Sequence, residues 1–225
     1  MSVCVLLEDQ IEVPMDIRSL ADFRGWARSD AFPRSGRIDY LQGRIEVDMS
    51  PEDLFTHGTP KGEIYAGLLP LTKSSTPGFL FIDSTAVTNA DANLSAEPDV
   101  VFVSKEAVVA GRVRMVPKTG GGPDRFIEVE GSPDLIVEVV SDHSVAKDFH
   151  RLPPIYFQAG VREMWIVDAR RDPLQFTIHR RGVAAFEPVA ADAEGFAESL
   201  VFNRRFALLR SRDELGFWTY DLRMS

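Results

Sequence analysis

Two short apolar stretches of the chain each enclose a carboxylate. Residues 97–103 and 133–140 are rich in β-branched and other apolar side chains, a pattern typical of buried strands. Asp99 lies in the first run and Glu138 in the second. A lone charge among apolar side chains is costly unless something compensates it. The pattern therefore predicts either a metal ion held by both carboxylates, or carboxylates that lie at strand ends or are neutralised by arginines.

The remaining hydrophobic pattern predicts further helices and strands. Leu20, Phe23 and Trp26 have helical spacing behind Ser19, a good helix cap. Two alternating runs around a glycine turn predict a hairpin over 38–49. The other predicted elements are a helix over 55–69 that a proline at 70 would end, strands over 79–82, 85–88 and 164–168, a helix ending at 159–160, and a hairpin over 174–189.

This order of elements predicts an α/β or α+β fold with a central mixed β-sheet, flanking helices and additional β-hairpins. The chain has 225 residues, a length that one large domain accommodates. We therefore expect a single domain spanning 1–225.

Composition narrows the classes of protein. Hydrophobic content of 44% and charged content of 26% are ordinary for a globular chain, and no stretch is long and apolar enough for a membrane span. With one cysteine, Cys4, and no signal-peptide pattern, we expect a cytoplasmic protein. The net charge of −9 argues against a broad nucleic-acid surface but leaves room for a local basic groove. Basic clusters occur at Arg112/Arg114/Lys118, Arg170/Arg171/Arg180/Arg181 and Arg204/Arg205/Arg210.

Several motifs follow one another in a characteristic order. The strand around Glu138 precedes Asp148, a segment from Tyr156 to Gly160, and a strand over 163–168. A glycine hairpin at 43, the segment 49–51, a histidine at 57 and the segment 97–100 precede them. This order resembles the Uma-two family, a bacterial family of restriction-endonuclease-like proteins within the PD-(D/E)XK nuclease superfamily. The resemblance is strongest over 37–190 and implies a restriction-endonuclease-like central sheet.

The resemblance also implies a set of functional residues. Asp99 and Glu138 match the two strand acids that bind Mg²⁺ or Mn²⁺, and the backbone carbonyl of Val139 would complete the inner ligands. Asp39 and His57 match an acid before the hairpin and a histidine at the start of the next helix, and are accessory candidates. Carboxylate oxygens suit Mg²⁺, which polarises a phosphodiester and lowers the pKa of an attacking water. The implied activity is hydrolysis of phosphodiester bonds in DNA.

One position departs from the pattern expected of a nuclease. Such enzymes place a lysine beside the acids, where it stabilises developing charge. Two residues after Glu138 stands Val140, and the family's alternative lysine position, four residues after Asp148, is Leu152. Two prolines follow directly, so we expect the helix to begin near Pro153 rather than near Asp148.

Lys147 and Arg151 are the nearby cations that could replace the missing lysine. Lys147 is the better catalytic candidate, because arginine does not exchange a proton near neutral pH. The alternative is that both are solvent-facing loop charges.

Two functions therefore stay open: a Mg²⁺-dependent DNA endonuclease, and a catalytically inactive nuclease-fold scaffold that binds nucleic acid or protein. A structural protein without a metal would need Asp99 and Glu138 to be far apart or paired with arginines. Duplex cleavage by two symmetric copies favours a homodimer. The chain has neither a phosphate-binding glycine loop nor a serine-nucleophile elbow, and its histidines do not form a zinc motif.

Overall fold

Two six-stranded β-sheets form the framework of this computed structural model, which describes residues 4–7 and 11–225. The strands are β1 (Cys4–Leu7), β2 (Ile11–Pro14), β3 (Arg37–Leu41), β4 (Arg44–Asp48), β5 (Gly78–Ile82), β6 (Ala86–Asn89), β7 (Leu94–Ala96), β8 (Val100–Ser104), β9 (Val113–Pro117), β10 (Phe126–Gly131), β11 (Leu135–Val139), β12 (Glu163–Asp168), β13 (Gln175–Arg181), β14 (Phe186–Pro188), β15 (Ala197–Ser199), β16 (Arg204–Arg212) and β17 (Trp218–Met224). The α-helices are α1 (Leu20–Ala27), α2 (Thr59–Lys73), α3 (Lys105–Val109) and α4 (Leu152–Gln158). A first π turn (Leu54–Gly58) precedes α2, and a second π turn (Lys147–Arg151) precedes α4.

The strand order shows that both large sheets are mixed. Sheet I has the order β4-β3-β7-β6-β10-β9, and sheet II has the order β14-β13-β12-β11-β8-β5. β6 pairs with β10 and β11 with β12 in parallel, and the neighbouring pairs around them are antiparallel. The predicted mixed α+β fold is confirmed, and the structure adds a second six-stranded sheet. Among the described helices, none combines the length and apolar character needed to cross a membrane.

The central strand β11 has apolar neighbours on both faces. Leu135 and Val137 pack towards α2 and the C-terminal strands, whereas Ile136 and Val140 pack towards α4. Successive side chains of a strand point to opposite faces. Glu138 therefore shares the α4 face with Ile136 and Val140, and is placed inside the apolar core by strand geometry alone.

Helix α2 buries a regular stripe formed by Ile64, Leu68 and Leu71, which packs on sheet II. The prediction that Pro70 ends this helix was wrong, because the helix continues to Lys73. Pro70 is exposed in the last turn, where its missing amide removes one backbone hydrogen bond. Burial of Leu71 in the core holds that turn in helical geometry.

The α-helix begins at Leu152, next to the predicted start at Pro153, but the chain before it is already helical from residue 145, which the sequence did not predict. The amide of Leu152 donates to the carbonyl of Lys147, five residues earlier, in the second π turn. Where such a wide turn returns to α geometry, the hydrogen-bond ladder shifts and carbonyls lose their usual donors. Pro153 and Pro154 lack amides, and they lie at that shift.

Glu163, at the start of β12, connects sheet II to the C-terminal strands. Its carboxylate accepts hydrogen bonds from Trp165 Nε1 at 2.7 Å, Ser199 Oγ at 2.5 Å and the amide of Leu200 at 2.9 Å. The side chain is 1% exposed. A buried carboxylate with several donors is compensated by them. Glu163 therefore has a structural role.

Candidate active site

Asp99, directly before β8, lies opposite Glu138 on the neighbouring strand β11. β8 and β11 are antiparallel, and Val100 pairs with Val137. Asp99, the residue before Val100, is therefore across from Glu138, the residue after Val137. Directly opposite residues in such a pair have Cβ atoms about 4.5–5.5 Å apart. Asp99 is 0% exposed and Glu138 is 1% exposed. The structure thus brings the two predicted strand acids together in the interior.

Asp99 is surrounded by donors. Arg37 Nη2 lies 2.8 Å from its Oδ1, and His57 Nε2 lies 3.5 Å from its Oδ2. Burial opposes ionisation of this carboxyl, but Arg37 and His57, with the Val139 amide and Lys61, hold the pKa of Asp99 below its usual value. The interpretation that an arginine neutralises the strand acids is therefore correct for Asp99.

The backbone of Val139 faces Asp99. The amide of Val140 donates to the carbonyl of Val167 on β12, so the amide and carbonyl of Val139 point to the opposite side, towards β8. Strand β8 begins only after Asp99, and the Val139 amide donates to Asp99 Oδ2 at 2.7 Å instead of to a strand carbonyl. The carbonyl of Val139 is directed to the same side, beside Asp99.

Glu138 has no arginine partner in the described part of the chain, and its nearest donor is neutral. The hydroxyl of Tyr156, on α4, donates to Glu138 Oε1 at 2.6 Å. Burial, then the charges of Asp148 and Asp99, raise the pKa of Glu138 well above its usual value. In the absence of a further cation, Glu138 therefore favours its protonated form.

Asp148, on the second π turn, is a further buried acid of this cluster. Its Oδ2 accepts a hydrogen bond from Ser144 Oγ, and its Oδ1 has no hydrogen-bond partner among the residues described. Burial, with the charge of Asp99 as a smaller contribution, raises the pKa of Asp148 to about 7. A buried oxygen without a partner is energetically costly and commonly marks a site for a ligand or an ion.

Lys147 does not face solvent, contrary to one of the two interpretations of its sequence position. Its ammonium lies 2.8 Å from Asp39 Oδ2, and both side chains are nearly fully buried. Burial opposes the charge of Lys147, but Asp39 and Glu138 raise its pKa above the usual value. Asp39 Oδ1 accepts the amide of Glu97 at 3.0 Å, which orients this carboxylate. Lys147 is therefore a permanent positive charge inside the cluster.

Positions 152 and 151, the other two considered for the catalytic cation, lie in surroundings different from those of Lys147. Leu152, at the family's alternative lysine position, is 1% exposed and packs in the apolar core with Tyr156 and Val140. Arg151 is partly exposed and pairs with Glu46 at 2.8 Å. Leu152 lies one helical turn before Tyr156, which contacts Glu138, but its side chain is uncharged, so Lys147 is the cation that this segment places inside the cluster.

A second group of potential ligands lies on the other side of Asp99. Oxygen or nitrogen atoms of Glu52, His57 and Asp99 all lie within 4.8 Å of one another. His57, on the first π turn, places Nδ1 2.6 Å from Glu52 Oε1. Lys61, on α2, contacts Glu52 and Asp83 and lies 3.9 Å from Asp99 Oδ1. The Lys61 ammonium already supplies a positive charge to this group.

Two cavities open beside the acids. One, of about 350 Å³, is lined by Arg37, His57 and Glu97 among others. The other, of about 320 Å³, is lined by Asp39, Lys147 and Arg151 among others. Both include residues 48 and 50 in their walls, so the cavities adjoin each other. Solvent and a ligand can therefore reach the groups that surround Asp99 and Asp39.

Sequence reasoning missed Arg37, Lys61 and Tyr156 as parts of this cluster. Arg37 is two residues before Asp39 on β3, a spacing that places both on one strand face. Lys61 lies three residues before Ile64, a helical spacing that places it on the buried face of α2. Both signals are present in the sequence. The Tyr156 hydroxyl gives no such signal, because a buried tyrosine is more often part of a core.

The fold is similar to that of a protein of known structure. The crystal structure of "a putative nuclease belonging to DUF820" from Anabaena variabilis ATCC 29413 aligns with a TM-score of 0.58 and 14% sequence identity, covering 82% of this chain and 90% of that chain. The fold is therefore restriction-endonuclease-like. The Uma2 family, described as "Putative restriction endonuclease", matches residues 20–209, and this chain belongs to that family. None of the curated proteins compared matches the chain.

The oxygen donors of the cluster are of the type that a hard divalent cation prefers, and the described residues whose potential ligand atoms all lie within 4.8 Å of one another are Glu52, His57 and Asp99. The carboxylates of Asp99 and Glu138, an oxygen of Asp148 without a partner, and a backbone carbonyl directed towards Asp99 are all oxygen donors. Burial, together with the charges of Asp148 and Asp99, raises the pKa of Glu138, and the charges of Lys147 and Arg37 only partly offset this.

Proposed function

We propose that the protein is a metal-dependent endonuclease that hydrolyses phosphodiester bonds in DNA. The observation that carries this proposal is the convergence of buried carboxylates from both sheets and the second π turn, next to two open cavities. These carboxylates are Asp39, Asp99, Glu138 and Asp148. A cluster of this kind destabilises the fold unless cations compensate it, so its presence favours a role in binding one. Membership of the Uma2 family supports the nuclease assignment.

Asp99, Glu138 and the Val139 carbonyl would hold Mg²⁺ or Mn²⁺. When bound, such a cation polarises a phosphodiester and lowers the pKa of a water molecule. Glu138 would give up its proton as the ion binds, because the charge of the cation would offset the burial and the neighbouring acids that raise the pKa of Glu138. Tyr156 would keep the Glu138 carboxylate oriented through the hydrogen bond to Oε1.

Positive side chains of the cluster would bind and stabilise the phosphate. Arg37 lines the 350 Å³ cavity beside Asp99, and its guanidinium suits the oxygens of a phosphodiester. Lys147 lines the adjoining cavity and adds a buried charge to the same region. Because both groups are held by carboxylates, they are in position before a substrate arrives.

His57 would carry protons between the cluster and solvent. Its two ring nitrogens face Glu52, which is partly exposed, and Asp99, which is buried. These contacts lead from the buried Asp99 to a carboxylate at the surface. Arg151 pairs with Glu46 and lies in the wall of the second cavity.

Cleavage of both strands of a duplex would be performed by two symmetric copies, so the proposal includes a homodimer. Light scattering coupled to size-exclusion chromatography tests this part. A single species at twice the chain mass of 25.1 kDa supports the dimer, and a monomer at working concentration contradicts it.

The alternative function is a catalytically inactive scaffold that binds nucleic acid or protein. The observation that favours it is the engagement of the Lys147 ammonium by Asp39 Oδ2, because this ion pair already occupies the charge that would act on a substrate. With Leu152 in the apolar core, the described part of the chain offers no lysine at the family position.

Calorimetry with Mn²⁺, combined with nicking of supercoiled plasmid in the same buffers, separates these functions. We expect the wild-type chain to bind Mn²⁺ and nick the plasmid, and both Asp99→Asn and Glu138→Gln to lose both properties. Glu194→Gln, at an exposed acid, is the matched control and should keep both. Circular dichroism verifies that the variants are folded.

Each outcome decides between the functions. Mn²⁺ binding that depends on Asp99 without any nicking favours the scaffold. No Mn²⁺ binding by the wild-type chain overturns the metal-dependent endonuclease.

A further inference from the structure

A larger cavity lies next to the candidate active site, between α1 and sheet I. Its volume is about 530 Å³, which is within the range of ligand sites. The walls come from α1 and the loop after it, from β10, and from the loop between β9 and β10. We call it the α1 cavity. None of the predicted catalytic residues lines it, so its chemistry is separate from that of the acids.

The α1 cavity is continuous with the active-site cavities. Ser84 and Glu97 line both the α1 cavity and the 350 Å³ cavity that contains Arg37 and His57. The three cavities therefore form one trough that runs from α1, past the groups that contact Asp99, to the second π turn. A chain-like ligand lying in this trough would extend from the acids into the α1 cavity.

The α1 cavity has unpaired cations at its rim. Arg34 and Lys118 are exposed, line the cavity, and make no ion pair among the residues described. By contrast, Arg28 is held by two hydrogen bonds to Glu128 Oε2. Lys118 was one of three cations in a basic sequence cluster, and the other two, at 112 and 114, pair with acids. Arg34 and Lys118 are thus available for an anionic ligand.

Apolar and aromatic side chains form the inner wall. Phe32 is half-buried, packs edge-on against Trp26, and lines the cavity together with Ile38 and Ile127. Nucleotides combine a flat apolar base with an anionic phosphate, and proteins bind unpaired ones through aromatic or apolar walls beside cations. Asp30, Glu97 and Glu128 also line the cavity, so a phosphate would be held by Arg34 and Lys118 at the rim, beside the apolar wall.

Lys118 lies at the start of the glycine-rich segment 118–123, which the sequence marks as a flexible loop. The amide of Gly121 donates to the carbonyl of Lys118, so the segment turns back on itself at the cavity rim. Gly120 has a positive φ of 69°, a conformation that other residues rarely adopt. The loop therefore holds Lys118 and Thr119 over the opening.

We propose that the α1 cavity binds an unpaired nucleotide of the DNA strand whose neighbouring phosphate lies at Asp99 and Glu138. The base contacts the wall formed by Phe32, Ile38 and Ile127, and Arg34 and Lys118 contact the phosphate. This inference rests on the proposed function for the identity of the ligand. It adds that the substrate carries a single-stranded or locally opened segment beside the cleaved bond.

Fluorescence anisotropy of labelled oligothymidylate, about 12 nucleotides long, tests the inference in EDTA at low salt, where no cleavage occurs. The double variant Arg34→Glu with Lys118→Glu should bind about tenfold more weakly than the wild-type chain. Arg171→Glu with Arg180→Glu reverses two exposed cations outside the trough and is the matched control. It should weaken binding by less than about threefold. An abasic strand of equal length should lose binding to the wild-type chain, because the base contact is absent.

Equal losses in the two double variants, or equal binding of the abasic strand and oligothymidylate, would overturn the nucleotide site. Plasmid nicking by the same proteins separates this failure from failure of the proposed function. Nicking without cavity-dependent binding retains the endonuclease and removes the subsite. Cavity-dependent binding without nicking retains the subsite and removes the endonuclease.

Discussion

Lys147 and Asp39 form a buried ion pair that joins the second π turn to β3, with Nζ 2.8 Å from Oδ2. Removing one partner of a buried pair leaves an uncompensated charge. Lys147→Met should therefore lower the free energy of unfolding by about 3–5 kcal/mol, measured by urea denaturation. The double variant Asp39→Asn with Lys147→Met should lose less free energy of unfolding than the sum of the losses in the two single variants. Strictly additive losses would show that the two side chains do not interact.

Leu152→Lys restores the residue type that the family uses at this position, but we expect no gain of nuclease activity. Leu152 packs in the apolar core, so the new ammonium would replace an apolar side chain at a buried position. We expect a loss of about 3–5 kcal/mol in stability, and Leu152→Met, a volume-conserving control, should lose less than about 1.5 kcal/mol. Faster plasmid nicking by a folded Leu152→Lys chain would mean that position 152 faces the acids.

Tyr156→Phe removes one hydroxyl and leaves Glu138 Oε1 without its donor. The expected loss of stability is about 1–3 kcal/mol, because the acceptor stays buried. Mn²⁺ affinity should also decrease, since Glu138 is no longer oriented, and calorimetry measures this second effect. Tyr65→Phe is the control, as the hydroxyl of Tyr65 makes no hydrogen bond within the described structure. Unchanged Mn²⁺ affinity in Tyr156→Phe would restrict Tyr156 to a packing role.

Glu163→Gln should loosen the C-terminal strands. The amide replaces one acceptor oxygen by a donor that faces Trp165, Ser199 and backbone amides. We expect a loss of about 2–4 kcal/mol and faster cleavage by a nonspecific protease after β14. Glu198→Gln, at an exposed neighbour on β15, should change neither property. A protease pattern identical to that of the wild-type chain would mean that other contacts hold these strands.

The ionisation of Glu97 makes the free energy of unfolding depend on pH in a direction that follows from its pKa. Burial, followed by the charge of Asp39, raises its pKa from 4.5 to about 7. The folded chain therefore binds this proton more tightly than the unfolded chain, and stability decreases as the pH rises from about 4.5 to about 7. Glu97→Gln removes the ionisation and therefore this loss of stability. The free energy of unfolding of the variant minus that of the wild-type chain should be larger at pH 8 than at pH 5 by about 1–3 kcal/mol. Urea denaturation at both values measures this, and a constant difference would contradict the assignment.

The placement of the strands beside Asp99 and Glu138 follows from local patterns, because runs of β-branched residues predict strands from sequence alone. That the two acids lie together was implied by the family resemblance, since strand pairing is not encoded locally. The predicted hairpins at Tyr40 and His179 likewise match β3–β4 and β13–β14, because alternation and turn residues are short-range signals.

The contacts of these acids could not be predicted in the same way. Arg37 reaches Asp99 across 62 positions of sequence, and Tyr156 reaches Glu138 from a different element. Tertiary packing sets these partners, and no local propensity encodes it. The helix before Pro153 was missed for a related reason, because the proline rule assumes a regular α-helical hydrogen-bond ladder.

Each π turn contains one residue more than an α-helical turn, and this extra residue sets the direction in which the side chains before it point. Deleting a residue from either turn would return it to α geometry and rotate everything on its N-terminal side by about 100° about the helix axis. At the second turn such a deletion would carry the Lys147 ammonium away from Asp39, and at the first it would swing His57 away from Asp99. Relatives whose alignments show a one-residue gap at either turn therefore have a differently composed site, even where every acid of the strands is retained.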